Sequence, residues 1–335
     1  MTKLLTIAIP AHNKSSYLNS ALNSIINDDQ FGENVNLVIS DNSLNEDIEN
    51  LYYKSFYDNK NIHYFKFKEF KCLDSNVNRS VEVSSGKYVW IFGDDDIIVP
   101  GILEKLISFL KEEKPFFTVL NSKSFREETI VEESRMPNNI ESVYEEHDND
   151  KFLSDMAGYL TYVGGICVRK DLWLENYDKS KIGSFFAHIQ CLTSIKIGRK
   201  AHYFKYPSIQ MRIGSQTWNA KSFLIWHKYY PELIWGLDNY SDSAKNKVIC
   251  RNPINSLKAM MASRAYGRID FNIFKNLILR SKKVNLGSKI FIFFLLFIPK
   301  TIFRIFYLVY ILCFKNHHSI NFSPKLALHN LRFQK

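Results

Sequence analysis

Three consecutive aspartates, Asp94-Asp95-Asp96, follow the apolar run Tyr88 to Phe92 with only Gly93 between. Adjacent carboxylates at the end of a strand repel one another, and one takes up a proton unless a cation is near. A hard divalent ion, Mg2+ or Mn2+, removes that conflict, because it takes one or two carboxylates and completes its shell with phosphate oxygens. A turn ending in an Asp that caps the next helix is the plainer alternative, and a single carboxylate would satisfy it. Two more polar clusters, Ala11-His12-Asn13 and Asp41-Asn42-Ser43, also close apolar runs. Together the three positions suit the binding of a metal-bridged diphosphate.

The elements that must position these clusters follow from hydrophobic periodicity. Leu4–Ile9, Val35–Ile39, Ile62–Phe67 and Tyr88–Phe92 read as short strands. Helices are predicted over Tyr17–Asn27, near Glu46–Phe56, over Asn76–Val83, and from just past Pro100 to Lys111. This alternation predicts an α/β fold with a mostly parallel open sheet flanked by helices. In such sheets ligands sit beyond the C-terminal ends of the strands, where the three polar clusters fall. Farther on, the acidic stretch Glu127–Asp150 reads as a long loop or lid. Tyr162–Val168 reads as a strand with paired glycines, and His202–Tyr206 as another strand; the pattern turns helical from about Phe223.

The order and spacing of four pieces across about the first 110 residues resemble family 2 glycosyltransferases of the Rossmann-like GT-A fold. The pieces are Leu5-Thr6-Ile7-Ala8-Ile9-Pro10-Ala11-His12-Asn13, Val38-Ile39-Ser40-Asp41-Asn42-Ser43, Asn78-Arg79-Ser80, and Ser85 through Asp96. The resemblance implies inverting transfer of a sugar from a nucleoside diphosphate donor to a hydroxyl. It also implies that Pro10, Ala11 and Asn13 cradle the nucleotide and that Asp41 contacts its base. Asp95 then stands where the metal-ligating acid lies, with Asp94 toward the ribose or donor sugar and Asp96 supporting the metal. Arg79 falls on the donor side. Gly93 replaces an acid common in the family.

In the second half, Gly183 to Gln190 resembles a subgroup of bacterial surface-polysaccharide (O-antigen and capsule) transferases in which a His opens a helix. His188 is therefore the expected general base for the acceptor hydroxyl. Gln210 to Trp218 resembles another piece of that subgroup, with Arg212 set to neutralise the diphosphate and Trp218 to stack on a sugar. Gly164 and Gly165 would let the backbone approach a donor or acceptor sugar. These readings divide the chain into a catalytic domain, 1–220, a helical extension, 221–285, and a tail, 286–335. Within the first, 1–110 is the nucleotide-sugar half and 111–220 the acceptor half. A nucleotidyltransferase and a non-catalytic membrane-bound scaffold are the alternatives. Against the first, there is no Gly-rich, Lys-containing phosphate loop near the first strand; against the second, the acidic triplet is intact.

Charge separates the tail from the body. The 335 residues carry a formal +10, yet from Phe271 onward there are eleven Lys or Arg and no Asp or Glu. The first 270 residues therefore hold 33 basic and 34 acidic side chains, which argues against a nucleic-acid binder. Ile290 to Phe314 is strongly apolar but interrupted by Pro299, Lys300 and Arg304. That pattern suits helices lying in a membrane interface, with basic groups toward anionic lipids, better than a continuous span. Docking on the body or in a homo-oligomer interface is the alternative. Five dispersed cysteines fit a reducing compartment. With an N-terminal apolar stretch too short for a signal peptide, the expected location is cytoplasmic, peripherally on the inner face of the cell membrane. The acceptor would be a lipid-linked glycan.

Overall fold

The computed structural model describes residues 3–67, 72–136, 143–195, 201–214 and 221–313. The chain divides into two compact units, Met1–Ser215 and Gln216–Lys335.

The first unit opens with the alternation read from sequence. Strand β1 (Leu5–Ala11) leads to helix α1 (Ser15–Ile26), β2 (Val35–Asp41) to α2 (Asp47–Ser55), and β3 (Ile62–Lys66) to α3 (Leu73–Glu82). Strand β4 (Tyr88–Ile91) runs into the acidic turn, followed by the short β5 (Ile97–Ile98) and α4 (Ile102–Glu113). Strands β1 to β4 pair in parallel, with Leu5 opposite Val35 on one side and Tyr88 on the other. β1, β2 and β4 are buried along their whole length, which is why they appear as unbroken apolar runs. Their side chains pack on Leu18, Ala21, Leu22 and Ile25 of α1 and on Leu103, Leu106, Ile107 and Leu110 of α4.

The later strands make the sheet mixed. They are β6 (Phe117–Arg126), β7 (Thr129–Glu132), β8 (Val143–Tyr144), β9 (Ile166–Arg169) and β10 (Ala201–Arg212). The order across the sheet is β3-β2-β1-β4-β9-β6-β10-β5, with β7 on β6 and β8 on β10. β9 runs antiparallel to both β4 and β6, whereas β6 and β10 are parallel. The parallel character thus holds for the N-terminal half and gives way beyond β4. The predicted lid begins as a hairpin: Glu127, at φ +55°, turns β6 back into β7. Helices α5 (Asn149–Leu160), α6 (Lys170–Asn176) and α7 (Ala187–Ser194) complete this unit.

The second unit is helical: α8 (Ser222–Leu224), α9 (Tyr230–Trp235), α10 (Asp242–Val248), α11 (Leu257–Ala265), α12 (Phe271–Ile273), α13 (Leu286–Phe297) and α14 (Lys300–Cys313). Its core gathers Phe223, Met260, Ile269, Ile278, Ile292, Leu295, Leu296 and Phe303. Arg264 is buried and donates to the carbonyls of Leu296 (3.1 Å) and Ile298 (2.7 Å), satisfying the end of α13 just before Pro299. Among the described residues no single helix is long and apolar enough to cross a membrane. The pair Leu286–Phe297 and Lys300–Tyr307 passes that test together, but bent by 110°.

Candidate active site

The C-terminal ends of β1, β2 and β4 bring the three polar clusters together. The His12 N–H donates to Asp94 Oδ2 (3.0 Å), and the Asn13 N–H to Ser43 Oγ (2.8 Å). Asn13 lies at φ +55°, a left-handed conformation that Asn tolerates, and its backbone N–H thereby meets the second cluster. His12 Nδ1 lies 3.0 Å from Asn42 Oδ1, which can only accept, so Nδ1 carries the proton. Ala11 ends β1, and its carbonyl accepts from the Asn42 N–H and from Asn76 Nδ2. Pro10 sits inside β1, opposite Ser40.

The acidic triplet is split by direction. Asp94 and Asp95 face one cation, the ammonium of Lys14, which lies 3.4 Å from Asp94 Oδ1 and 2.7 Å from Asp95 Oδ2. Burial works to lower the Lys14 pKa, but the two carboxylates outweigh it and hold the pKa above its ordinary value. Burial pushes the Asp94 carboxyl up to about 6, against the pull of Lys14. Asp96 turns the other way: Oδ2 accepts from the Tyr162 hydroxyl and Oδ1 from the Arg212 N–H (2.9 Å). Burial, reinforced by the charge of Asp95, raises its pKa. Asp96 was expected beside Asp95 on an ion; here both of its oxygens accept from Tyr162 and Arg212, and it is Asp94 that shares the Lys14 ammonium with Asp95. A pair of hard carboxylate oxygens around one cation position fits Mg2+ or Mn2+ completed by donor phosphates. Among the described residues no three His, Cys, Asp or Glu side chains group to hold an ion by themselves.

Asp41 is fully buried at the end of β2. Its Oδ1 accepts from the Ser43 N–H (2.7 Å), and its Oδ2 from the Tyr64 hydroxyl (2.7 Å) and from Lys66 (2.9 Å). Tyr64 stacks on Tyr52 with centroids 4.9 Å apart. Arg212 adjoins the acidic turn: its Nε donates to the Asp95 carbonyl (3.0 Å), and its guanidinium lies over the rings of Tyr17 and Phe125. Arg79, on α3, is half exposed, pairs with Glu82 at 3.4 Å and lies over Phe67.

His188 is placed differently from the expectation. It is 4% exposed, and its Nε2 lies 3.0 Å from the Leu160 carbonyl, so Nε2 is the protonated nitrogen. Burial lowers its pKa to about 4. In this conformation the enclosed imidazole gives its Nε2–H to a main-chain carbonyl, which leaves Nδ1 as the ring nitrogen able to accept a proton. Gly164 and Gly165 are buried in the turn before β9, where the Gly164 carbonyl accepts from Trp90 Nε1 (2.9 Å). They approach the Tyr162 side chain, which the sequence reading had not foreseen. Trp218 lies outside the described residues. Sequence reasoning also missed Lys14, Tyr64, Lys66 and Tyr162. The signal for Lys14 was its place one residue past the first polar cluster, and for Tyr162 its place just before the glycine pair.

Comparison with known proteins agrees with this fold. The Glycosyl transferase family 2 profile matches residues 6–165. Abequosyltransferase RfbV from Salmonella typhimurium is 27% identical over 236 residues, covering 65% of this chain and 69% of the relative. The fold is shared with TarS of S. aureus. The 1–349 fragment in complex with UDP superposes with a TM-score of 0.53 at 11% identity, covering 82% of this chain and 76% of that one. The fragment in complex with UDP-GlcNAc gives 0.54 at 12% identity, covering 98% and 91%. With the strand order, the converging polar clusters and the sequence match in accord, residues 6–165 are similar to family 2 glycosyltransferases and share the GT-A fold.

Proposed function

We propose that this chain is an inverting, metal-assisted glycosyltransferase of bacterial surface-polysaccharide synthesis, acting on a nucleoside diphosphate sugar and a lipid-linked glycan acceptor. The convergence of Asp94, Asp95 and Lys14 where β1 and β4 end carries this reading. A diphosphate brought there meets the Lys14 ammonium and the Arg212 side chain beside the acidic turn. Asp94 and Asp95 are the residues that would hold Mg2+ or Mn2+, an ion that would neutralise charge building on the departing diphosphate. Asp41, fixed by Tyr64 and Lys66 at the end of β2, is the residue we assign to the nucleotide base. In transfer the acceptor oxygen bonds to the anomeric carbon. The bond from that carbon to the diphosphate oxygen breaks, and the acceptor proton passes to a base.

The abequosyltransferase relative supports a role in O-antigen assembly. The bent, basic and apolar helix pair of the second unit supports attachment to the inner face of the cell membrane, where a lipid-linked acceptor resides. The test is a thermal-shift screen of nucleoside diphosphates and sugar nucleotides with Mn2+, followed by donor hydrolysis. Stabilisation by one nucleotide, with release of a nucleoside diphosphate, is the expected result. Release of pyrophosphate would favour a nucleotidyltransferase, and no nucleotide-dependent shift would count against both.

A further inference from the structure

Asp96 and Tyr162 are distant in sequence and bonded in space. The Tyr162 hydroxyl donates to Asp96 Oδ2, and Asp96 is only 2% exposed. The remaining carboxylate oxygen takes the Arg212 N–H at 2.9 Å. On its other face the Tyr162 ring lies under the Arg135 guanidinium, 5.3 Å from the centroid. Three glycines border this pair. A Cβ on Gly93 would collide with Asp96 Oδ2. On Gly164 a Cβ would come within 2.7 Å of Tyr162 Cζ and 2.8 Å of its hydroxyl. On Gly165 it would lie 3.2 Å from Tyr162 Cδ1 and 3.1 Å from the Leu120 carbonyl. Gly164 is further pinned by Trp90, whose strand β4 leads into the acidic turn. Gly93 and Gly164 thus clear space for one buried contact, and Gly165 fits closely against both Tyr162 and the Leu120 carbonyl.

We propose that Asp96 and Tyr162 form an internal latch between the acidic turn and the Tyr162–Gly165 turn, so that Asp96 positions Asp94 and Asp95 and is not itself an ion ligand. This rests on the transferase reading of the site. Without the latch the turn keeps the two carboxylates that face Lys14 but loses their fixed direction. Ion binding then survives while alignment of the leaving diphosphate does not, since productive geometry is lost with displacements of about 1 Å.

The experiment uses the full chain with Mn2+ and whichever of UDP, CDP, GDP or dTDP binds best. Free Mn2+ is read by electron paramagnetic resonance for wild type, Asp95→Asn, Asp96→Asn, Tyr162→Phe and the Asp96→Asn/Tyr162→Phe double variant. Donor turnover and urea unfolding are measured on the same proteins. Asp95→Asn is expected to weaken Mn2+ binding at least about tenfold, and Asp96→Asn and Tyr162→Phe less than about threefold. Both latch variants should lower kcat by about tenfold or more with donor KM nearly unchanged, and the double variant should be no worse than the poorer single one. Gly164→Ala, which crowds Tyr162 and leaves every carboxylate in place, should lower kcat in the same way.

Loss of Mn2+ binding in Asp96→Asn equal to that in Asp95→Asn would make Asp96 a ligand and overturn the proposal. So would multiplying effects in the double variant, or wild-type kcat in Tyr162→Phe. The unfolding data separate folding failure from misalignment: variants folded at the assay temperature with reduced kcat support the latch, and a kcat loss that only tracks the unfolded fraction overturns it. A wild-type protein that binds no Mn2+–nucleotide pair would instead overturn the transferase reading, and the latch would then be judged by coupling in the unfolding cycle alone.

Discussion

His188 donates to the Leu160 carbonyl as a neutral imidazole, so its protonation is linked to folding. Its pKa of about 4 in the folded chain lies below the value of about 6.5 for an exposed imidazole. Between those two values the unfolded state binds more protons, so stability falls as pH drops through the window. His188→Gln can keep the hydrogen bond through its amide without titrating. Urea unfolding at pH 7 and pH 5 is expected to show a larger loss in wild type than in the variant. Transfer by His188→Gln should stay within about threefold of wild type. A drop of a hundredfold with the fold intact would assign His188 the role of base. Lys14 offers a second single-residue test. Lys14→Met removes the ammonium that Asp94 and Asp95 share, and nucleotide-free Mn2+ affinity should rise about tenfold by calorimetry. Unchanged or weaker affinity would mean that Lys14 and the ion do not share a place.

The element boundaries that matter most are set by close backbone approach. Gly86 begins the entry into β4, and its N–H donates to Thr6 Oγ1 at 2.8 Å. A Cβ there would lie 2.5 Å from the Thr6 nitrogen and 2.8 Å from the Leu5 carbonyl carbon, both backbone atoms of β1. Gly86→Ala should therefore destabilise the chain by about 2 kcal/mol or more in urea unfolding, and the start of the β1–β4 ladder should lose amide-exchange protection. The same level shows where periodicity stops informing. Strands β1, β2 and β4 were readable because burial on both faces leaves an apolar run. β6 was not, since its centre holds Asn121, Ser122 and Ser124, which are buried yet polar. Asn121 is satisfied by partners far along the chain, including the Lys205 carbonyl, that no local window contains. Helix α5 was hidden because its acidic start reads as loop, while Phe152, Leu153 and Met156 beyond it are fully buried.

For the whole molecule, the charge asymmetry gains a surface. In the second unit Phe294, Phe297 and Phe306 are 64%, 63% and 66% exposed, alongside Leu286, Ile290 and Ile305. Residues with the same chemistry, Ile292, Leu295 and Phe303, are buried in that unit's core, so the helix pair presents a second apolar face to solvent. We expect full-length protein to co-sediment with phosphatidylglycerol-containing vesicles. Phe294→Glu/Phe297→Glu/Phe306→Glu should lose that binding by about tenfold or more without a change in Tm, because the substituted positions are exposed. Binding to neutral vesicles as strong as to anionic ones would remove the basic residues from the account.

The sequence by itself determined the resemblance to family 2 glycosyltransferases, the α/β alternation and the positions of the three polar clusters, because each depends on short-range pattern: apolar runs, their spacing, and the polar residues that end them. Tertiary structure alone decided which carboxylates share a cation, since direction within Asp94-Asp95-Asp96 is set by Lys14 on one side and Tyr162 on the other. It also decided that His188 is enclosed and that Gly93 and Gly164 leave room for one buried contact. Those outcomes depend on partners brought together from far along the chain, and local spacing holds no record of them.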